Sequence, residues 1–182
     1  MHYDVFNGDA DGICSLVQLR LSNPKNSKLI TGVKRDISLL KKISPVKQDS
    51  VTVLDISMKK NYQEVVDFLE LGVEIFYADH HQSGDLLTHE NFRSHINESS
   101  NICTSLIINK YLSGKYQEWA IVGAYGDGMD KSARIIANKA DLSKDDRAQL
   151  RLLGICINYN SYGENEMDLL YHPSLLYKLL KH

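Results

Sequence analysis

Acidic and imidazole side chains gather at four places in the chain, and both types hold divalent metals. The first is Asn7-Gly8-Asp9-Ala10-Asp11-Gly12. Aspartates two residues apart among small neighbours can turn both carboxylates into one space, and the glycines allow a tight turn with room for a ligand. On its own an aspartate-rich glycine turn is commonplace. The second place is Asp55, directly after Val51-Thr52-Val53-Leu54, where a turn or a helix N-cap is an equally good reading. The third, Asp79-His80-His81, follows the apolar run 73–78. Three such groups in a row are costly to hold together unless they bind something, and neutral imidazole is the commonest metal ligand. The fourth is Asp127, between Gly126 and Gly128 after the apolar run 119–125.

The combination says more than its parts. Strand ends of one parallel sheet converge, so Asp9, Asp11, Asp55, Asp79, His80 and Asp127 can share one crevice. That many carboxylates do not stay ionised together without cations. Two divalent ions sharing a carboxylate would neutralise them. Such a pair is a recurring device for hydrolysing phosphate esters, with metal-bound hydroxide as nucleophile and both ions stabilising the attacking and leaving oxygens. Mixed carboxylate and imidazole ligands suit Mn2+. Mg2+ is the alternative, although it prefers oxygen and water, and Zn2+ usually takes fewer ligands.

Elements able to bring these residues together are readable. Short apolar runs at 3–6, 28–33, 51–54 and 73–78 predict strands. Apolar spacing predicts helices at 13–21, at 37–43 before Ser44-Pro45, and at 62–71 with Gly72 closing the last. The second half is more helical. It has segments at 102–112 (capped from Ser99, Ser100 or Asn101 and ended by Gly114), 119–125, 131–140 and 145–157, then a polar loop at 158–166 and an amphipathic segment at 173–180. Alternating strands and helices imply an α/β fold: a mostly parallel sheet with helices on both faces, in three layers. In such sheets ligands bind at the carboxyl ends of the strands, where three of the four clusters fall.

Composition sets bounds. The chain has 182 residues, 43% hydrophobic and 24% charged, enough for one globular domain. With 21 basic against 23 acidic residues it carries a formal charge of −2, so a broad basic face for long nucleic acid is not expected. Cys14, Cys103 and Cys156 lie in apolar, helix-like stretches and form no disulfide or C-x-x-C pattern; buried thiols are expected. The first residues meet charge and glycine too early for a signal peptide, and no run approaches the roughly 20 apolar residues of a membrane span. A cytoplasmic protein without membrane contact is the expectation.

The sequence resembles the DHH phosphoesterase family, which takes its name from the triplet Asp79-His80-His81. The likeness rests on the order of four motifs, Asp9-Ala10-Asp11-Gly12, Asp55, the triplet and Asp127, across roughly residues 3–130. The family includes single-strand exonucleases, oligonucleotide and cyclic-dinucleotide phosphodiesterases, inorganic pyrophosphatases and exopolyphosphatases, and manganese is its usual metal. Carried over by motif, the resemblance implies that Asp9 ligates one metal and Asp11 the other. Asp55 and Asp79 would be bridging or shared carboxylates, His80 a ligand of one ion, and Asp127 the completion of a metal shell. His81 would face the substrate phosphate or leaving group, so that Asp79, His80 and His81 form the catalytic set. Where several members carry a histidine, this chain has Val5. Where others carry an aspartate it has Asn7, whose carbonyl oxygen can reach a metal without charge.

The resemblance implies a catalytic domain over residues 1–158 and a connector or tail over 159–182. The family's usual C-terminal substrate-binding domain would be absent, to be supplied by a further domain or a homodimer. Tyr159, Tyr162, Tyr171 and Tyr177 in the tail are expected to pack or to form a partner surface. Lys131 and Arg134 are candidates for phosphate contacts, and the helix N-terminus near 101–104 offers backbone N–H groups to an anion. His89 and His95 are read as structural. The expected activity is Mn2+-dependent hydrolysis of a phosphodiester in a small substrate, such as a short single-stranded oligonucleotide or a nucleotide. A non-catalytic metal- or nucleotide-binding module of the same fold is one alternative. A pyrophosphatase or exopolyphosphatase is the other, and would want several converging Lys or Arg.

Overall fold

A computed structural model describes residues 1–85 and 87–181. Its centre is a five-stranded, all-parallel sheet in the order β2-β1-β3-β4-β5. The strands are β1 (His2–Phe6), β2 (Lys28–Ile30), β3 (Ser50–Leu54), β4 (Glu74–Asp79) and β5 (Phe92–Ile96). From β1 the chain passes to β2 on one side and then crosses back to β3 on the other, so the strand order reverses beside β1. Crevices for ligands form at such reversals, outside the carboxyl ends of the strands.

Register explains both the core and the site. Val5 pairs with Val53 and Val53 with Tyr77; one residue later Phe6 pairs with Leu54 and Leu54 with Ala78. Alternation sends the first set to one face of the sheet and the second to the other. On the first face Val5, Val53 and Tyr77 pack with Leu39, Leu40 and Met58 from two 3-10 turns and with Val65 and Phe68 of α2 (Tyr62–Glu70). On the second face Phe6, Leu54 and Ala78 meet Ile13, Leu16 and Val17 of α1 (Ala10–Ser22). That core also takes in Ile108 of α3 (Thr104–Tyr111), Val122 of α4 (Gln117–Gly126), Ile157 of α6 (Lys144–Asn160) and Tyr177 of α7 (Pro173–Lys181). Helix α5 (Asp130–Lys139) adds Ala133 and Ala137 to a third cluster with Leu106, Ile121 and Ala124. Each large apolar side chain buried this way contributes about 1.5–3 kcal/mol. The fold is α/β with helices on both faces of the sheet, as the alternation of elements predicts.

Glycines allow the second layer to close up. A methyl group at Gly126 would meet Ala10 and the carbonyl of Gly154, and one at Gly154 would meet the carbonyl of Val122 and the N–H of Gly126. Backbones of α4 and α6 therefore touch at the start of α1.

Several elements differ from expectation. Strand β2 ends at Ile30 rather than at 33, and Thr31-Gly32-Val33 leaves the sheet so that the Gly32 carbonyl lies against Gly8. The helix expected at 37–43 is a 3-10 turn, Leu39–Lys42, which buries Leu39 and Leu40. Strand β5 is unanticipated: Phe-Arg-Ser-His-Ile sits at the sheet edge with Arg93 and Ser94 exposed, so it lacks the apolar run that marks a central strand. Helix α3 begins at Thr104, with no side-chain cap from Ser99, Ser100 or Asn101. Helix α6 continues to Asn160, into the expected loop. Cys14 and Cys103 are buried, but Cys156 is exposed on α6, against the expectation for all three thiols. Helix α7 packs on α1, where Tyr177 is buried beside Phe6 with ring centroids 6.0 Å apart, while Tyr159, Tyr162 and Tyr171 are exposed.

Near the start of β1 the same face holds a buried ionic cluster. The Arg20 guanidinium donates to both oxygens of Asp4 and, over 3.0 Å, to Thr52 Oγ1, while Ser27 donates to Asp4 over 2.6 Å. Burial alone would raise the Asp4 carboxyl; hydrogen bonds from Arg20 and His2 hold it below the usual carboxylate range instead. Among the described residues no helix is long and apolar enough to cross a membrane.

Candidate metal centre

Equal register across β1, β3 and β4 brings their following residues out at one edge of the sheet. Asp9 is the N-cap of α1: its Oδ1 accepts from the N–H groups of Asp11 (3.0 Å) and Gly12 (3.1 Å). Its Oδ2 accepts from Lys34 Nζ at 2.7 Å. Asp11, in the first turn of α1, is fully buried, and its two oxygens accept from Thr104 N–H and Ser105 N–H, each at 2.7 Å. The N-terminus of α3, which offers donors to an anion, is thus filled by a carboxylate from 93 residues earlier in the chain. No local cap was needed because a distant one is present.

Asp55 adopts φ +60, a left-handed conformation that costs a non-glycine residue roughly 1–2 kcal/mol and that aspartate tolerates better than most. Its N–H remains bound to the Ala78 carbonyl at 3.0 Å, so the turn begins while the strand is still paired. Thr104 Oγ1 donates to Asp55 Oδ1 at 3.0 Å, and His80 Nε2 lies 3.4 Å from the same oxygen. Asp79 ends β4 and is fully buried; its Oδ1 pairs with His81 Nδ1 at 2.7 Å, and its Oδ2 has no hydrogen-bond partner. Asp127 follows the last turn of α4, with its Oδ2 3.8 Å from His80 Nε2. His80 Nε2 is also 3.9 Å from Asp11 Oδ2. Asn7 is tied within the loop, its Oδ1 accepting from Asp9 N–H and its Nδ2 donating to the Lys34 carbonyl, each at 3.2 Å.

Asp9, Asp11, Asp55, Asp79, His80, His81 and Asp127 therefore cluster beyond the carboxyl ends of β1, β3 and β4. Two trios have ligand atoms within 4.8 Å of one another: Asp55 with His80 and His81, and Asp11 with His80 and Asp127. Crowding shows in the electrostatics. Burial first, then Asp11, Asp9, Asp79 and Asp127, push the Asp55 carboxyl well above its ordinary range. Burial, Asp11 and Asp9 likewise lift Asp127 to about 6, against the pull of His80 and Lys34. The His81 imidazole moves up, chiefly through its hydrogen bond to Asp79. Hard oxygen donors with imidazole, excess negative charge and an unpartnered buried carboxylate oxygen fit a divalent cation.

Lys34 escapes sequence reading. Its Nζ reaches Asp9 Oδ2, Asn158 Oδ1 at 3.1 Å and Asp127 Oδ1 at 3.5 Å. No motif marks it; it arrives because β2 ends early and the chain turns back over Gly8. Thr104 is equally silent in sequence. Lys131 and Arg134 are exposed on α5, with no hydrogen bond or ion pair to the site among the described residues. His89 is exposed, and His95 packs between Phe76 and Tyr111.

No protein-family model matches the chain, and no curated protein sequence does. Solved structures do. One is exonuclease RecJ bound to manganese: TM-score 0.51 at 16% identity, covering 88% of this chain and 48% of that one. Another is RecJ in complex with Mn2+ from Thermus thermophilus: TM-score 0.48 at 14% identity, covering 98% of this chain and 34% of that one. This chain thus spans less than half the length of either. At this identity the likeness establishes the fold alone, an α/β domain built on a parallel sheet.

Proposed function

We propose that this protein is a divalent-metal-dependent phosphoesterase, with manganese the first candidate ion, that cleaves a phosphodiester in a small substrate such as a short oligonucleotide or a nucleotide. The observation that carries this reading is the gathering of Asp9, Asp11, Asp55, Asp79, Asp127 and His80 at one sheet edge, with the Asp79 Oδ2 buried and unpartnered. Asp11, Asp55, His80 and Asp127, with Asp79 beside them, would hold the ion. When bound, such an ion acidifies a water and stabilises charge on phosphoryl oxygens.

The chain's own groups supply the rest. Asp79 orients His81 through Nδ1 and favours its protonated form. The half-exposed His81 ring can then present Nε2–H to a phosphate oxygen or to the leaving oxygen. Asp55 is braced by Thr104 and Asp11 by the start of α3, so both carboxylates are fixed before substrate arrives. A small substrate accords with the balanced net charge and with a crevice where Lys34 is the basic side chain in contact with the site among the described residues. That scarcity of cations weighs against a pyrophosphatase or exopolyphosphatase. The activity stated for the similar structure, an exonuclease bound to manganese, lies in the same reaction class.

The test is Mn2+-dependent hydrolysis of bis-p-nitrophenyl phosphate by the wild type, Asp79→Ala and His80→Ala. Turnover in the wild type that falls at least about 100-fold in both variants supports the reading, since losing a ligand or its support commonly costs 10–100-fold or more. A folded wild type that binds no Mn2+ would refute it.

A further inference from the structure

We infer that Lys34 is a resident cation of this centre, so that the protein takes one divalent ion beside Asp11, Asp55, His80 and Asp127 in place of the two that the sequence resemblance implies. This rests on the metal-dependent reading above and specifies its stoichiometry.

The ammonium of Lys34 makes three oxygen contacts from three parts of the chain: Asp9 Oδ2 at 2.7 Å, Asn158 Oδ1 at 3.1 Å and Asp127 Oδ1 at 3.5 Å. A hard cation at that point would collect the same kind of oxygen set. The lysine is also fixed at its root. Its N–H donates to the Ser161 carbonyl at 3.0 Å, and its own carbonyl accepts from Asn7 Nδ2 at 3.2 Å. Its ion pairs with Asp9 and Asp127 hold the ammonium over the site.

Asp9 is consequently paired with a cation already. One oxygen caps α1 and the other neutralises Lys34. Asn7, next to it, brings no charge and has both ends of its amide engaged. Asp11 differs: among the described residues it pairs with no Lys or Arg, its oxygens accepting from two backbone N–H groups, and Asp127 keeps Oδ2 on the His80 side, away from Lys34. Asp11, His80 and Asp127 offer atoms within 4.8 Å of one another, Asp55 joins through the same His80 nitrogen, and Asp79, one residue before His80, has a buried oxygen without a hydrogen bond. A second divalent ion at Asp9 would have to displace Lys34 or sit against its positive charge, and Coulomb repulsion scales with the product of the charges.

The test counts manganese. Metal-free protein is dialysed against Mn2+ and its bound metal measured, and the low-temperature electron paramagnetic resonance spectrum reports whether two ions share ligands. The wild type should hold one Mn2+ per chain with an isolated-ion spectrum. Lys34→Met, which keeps the length of the stem and removes the charge, should gain a second ion, bound at least tenfold tighter than by the wild type, with a spin-coupled spectrum. Asp9→Asn should keep one ion. Two coupled ions in the wild type would overturn the inference while leaving the phosphoesterase reading intact. One ion in a folded Lys34→Met, unchanged from the wild type, would overturn the role of Lys34. No ion in the wild type would sink both readings.

Discussion

Asp127→Asn should stabilise the metal-free protein while weakening its hold on metal. Burial together with Asp11 and Asp9 raises the Asp127 carboxyl from its ordinary 3.8 to about 6, despite His80 and Lys34. In the unfolded chain the group ionises near its ordinary value. Below that pH both states are protonated and its folding contribution is intact. As pH climbs from about 4 to about 6 the unfolded chain releases a proton that the folded one retains, and stability is lost; above about 6 the loss is complete. At about 1.4 kcal/mol per pH unit the loss is about 3 kcal/mol, or about 2–3 with allowance for water at the side chain. Asparagine has nearly the same shape and no charge, so it removes the penalty. Urea unfolding of chelator-treated protein, followed through Trp119 fluorescence, should find the variant about 2–3 kcal/mol more stable at pH 7.5 and within about 0.5 kcal/mol of the wild type at pH 4. Mn2+ at 100 times its dissociation constant should add about 2.7 kcal/mol to the wild type and less to the variant. A variant less stable than the wild type at pH 7.5, or a gap that does not change with pH, would refute the electrostatic account of this crevice.

Two further perturbations test the frame around the site. Arg20→Met leaves Asp4 buried and charged without its partner and should cost about 3–5 kcal/mol in urea unfolding, whereas Asp4→Leu with Arg20→Met should recover most of that loss. Gly8→Ala drives a methyl group into the Gly32 carbonyl and Pro173, which should cost about 1–3 kcal/mol or more in thermal unfolding. Since Gly8 adjoins Asp9 and faces the segment leading to Lys34, its Mn2+ affinity by calorimetry should fall as well.

Much of this architecture is legible in the chain because the signals are local. Val51-Thr52-Val53-Leu54 and the run before Asp79 are mostly apolar and mostly buried on both sheet faces, which identifies central parallel strands and places the aspartates at their ends. The Asp-x-Asp-Gly turn and the Asp-His-His triplet mark candidate metal ligands by their order in the chain, although the turn alone is commonplace. What stayed hidden depends on contacts between distant segments. The start of α3 is set by Asp11, so serines and asparagine nearby gave a false start. Lys34 enters because β2 stops at Ile30, and β5 pairs at an edge where polar residues are tolerated. Cys156 lies in a helix whose apolar spacing is loose enough to leave that thiol outside.

The contact of α4 with α6 and α1 at Gly126 and Gly154 bears on how far this chain can drift. Between α4 and α6 backbone meets backbone, and α1 adds only the methyl of Ala10, so the packing asks that two positions carry no side chain and a third a small one. Asp127 is the next residue, so its place in the site depends on that contact as well as on the α4 side chains buried in two cores. A side chain at either glycine would push these helices apart and carry Asp127 with them.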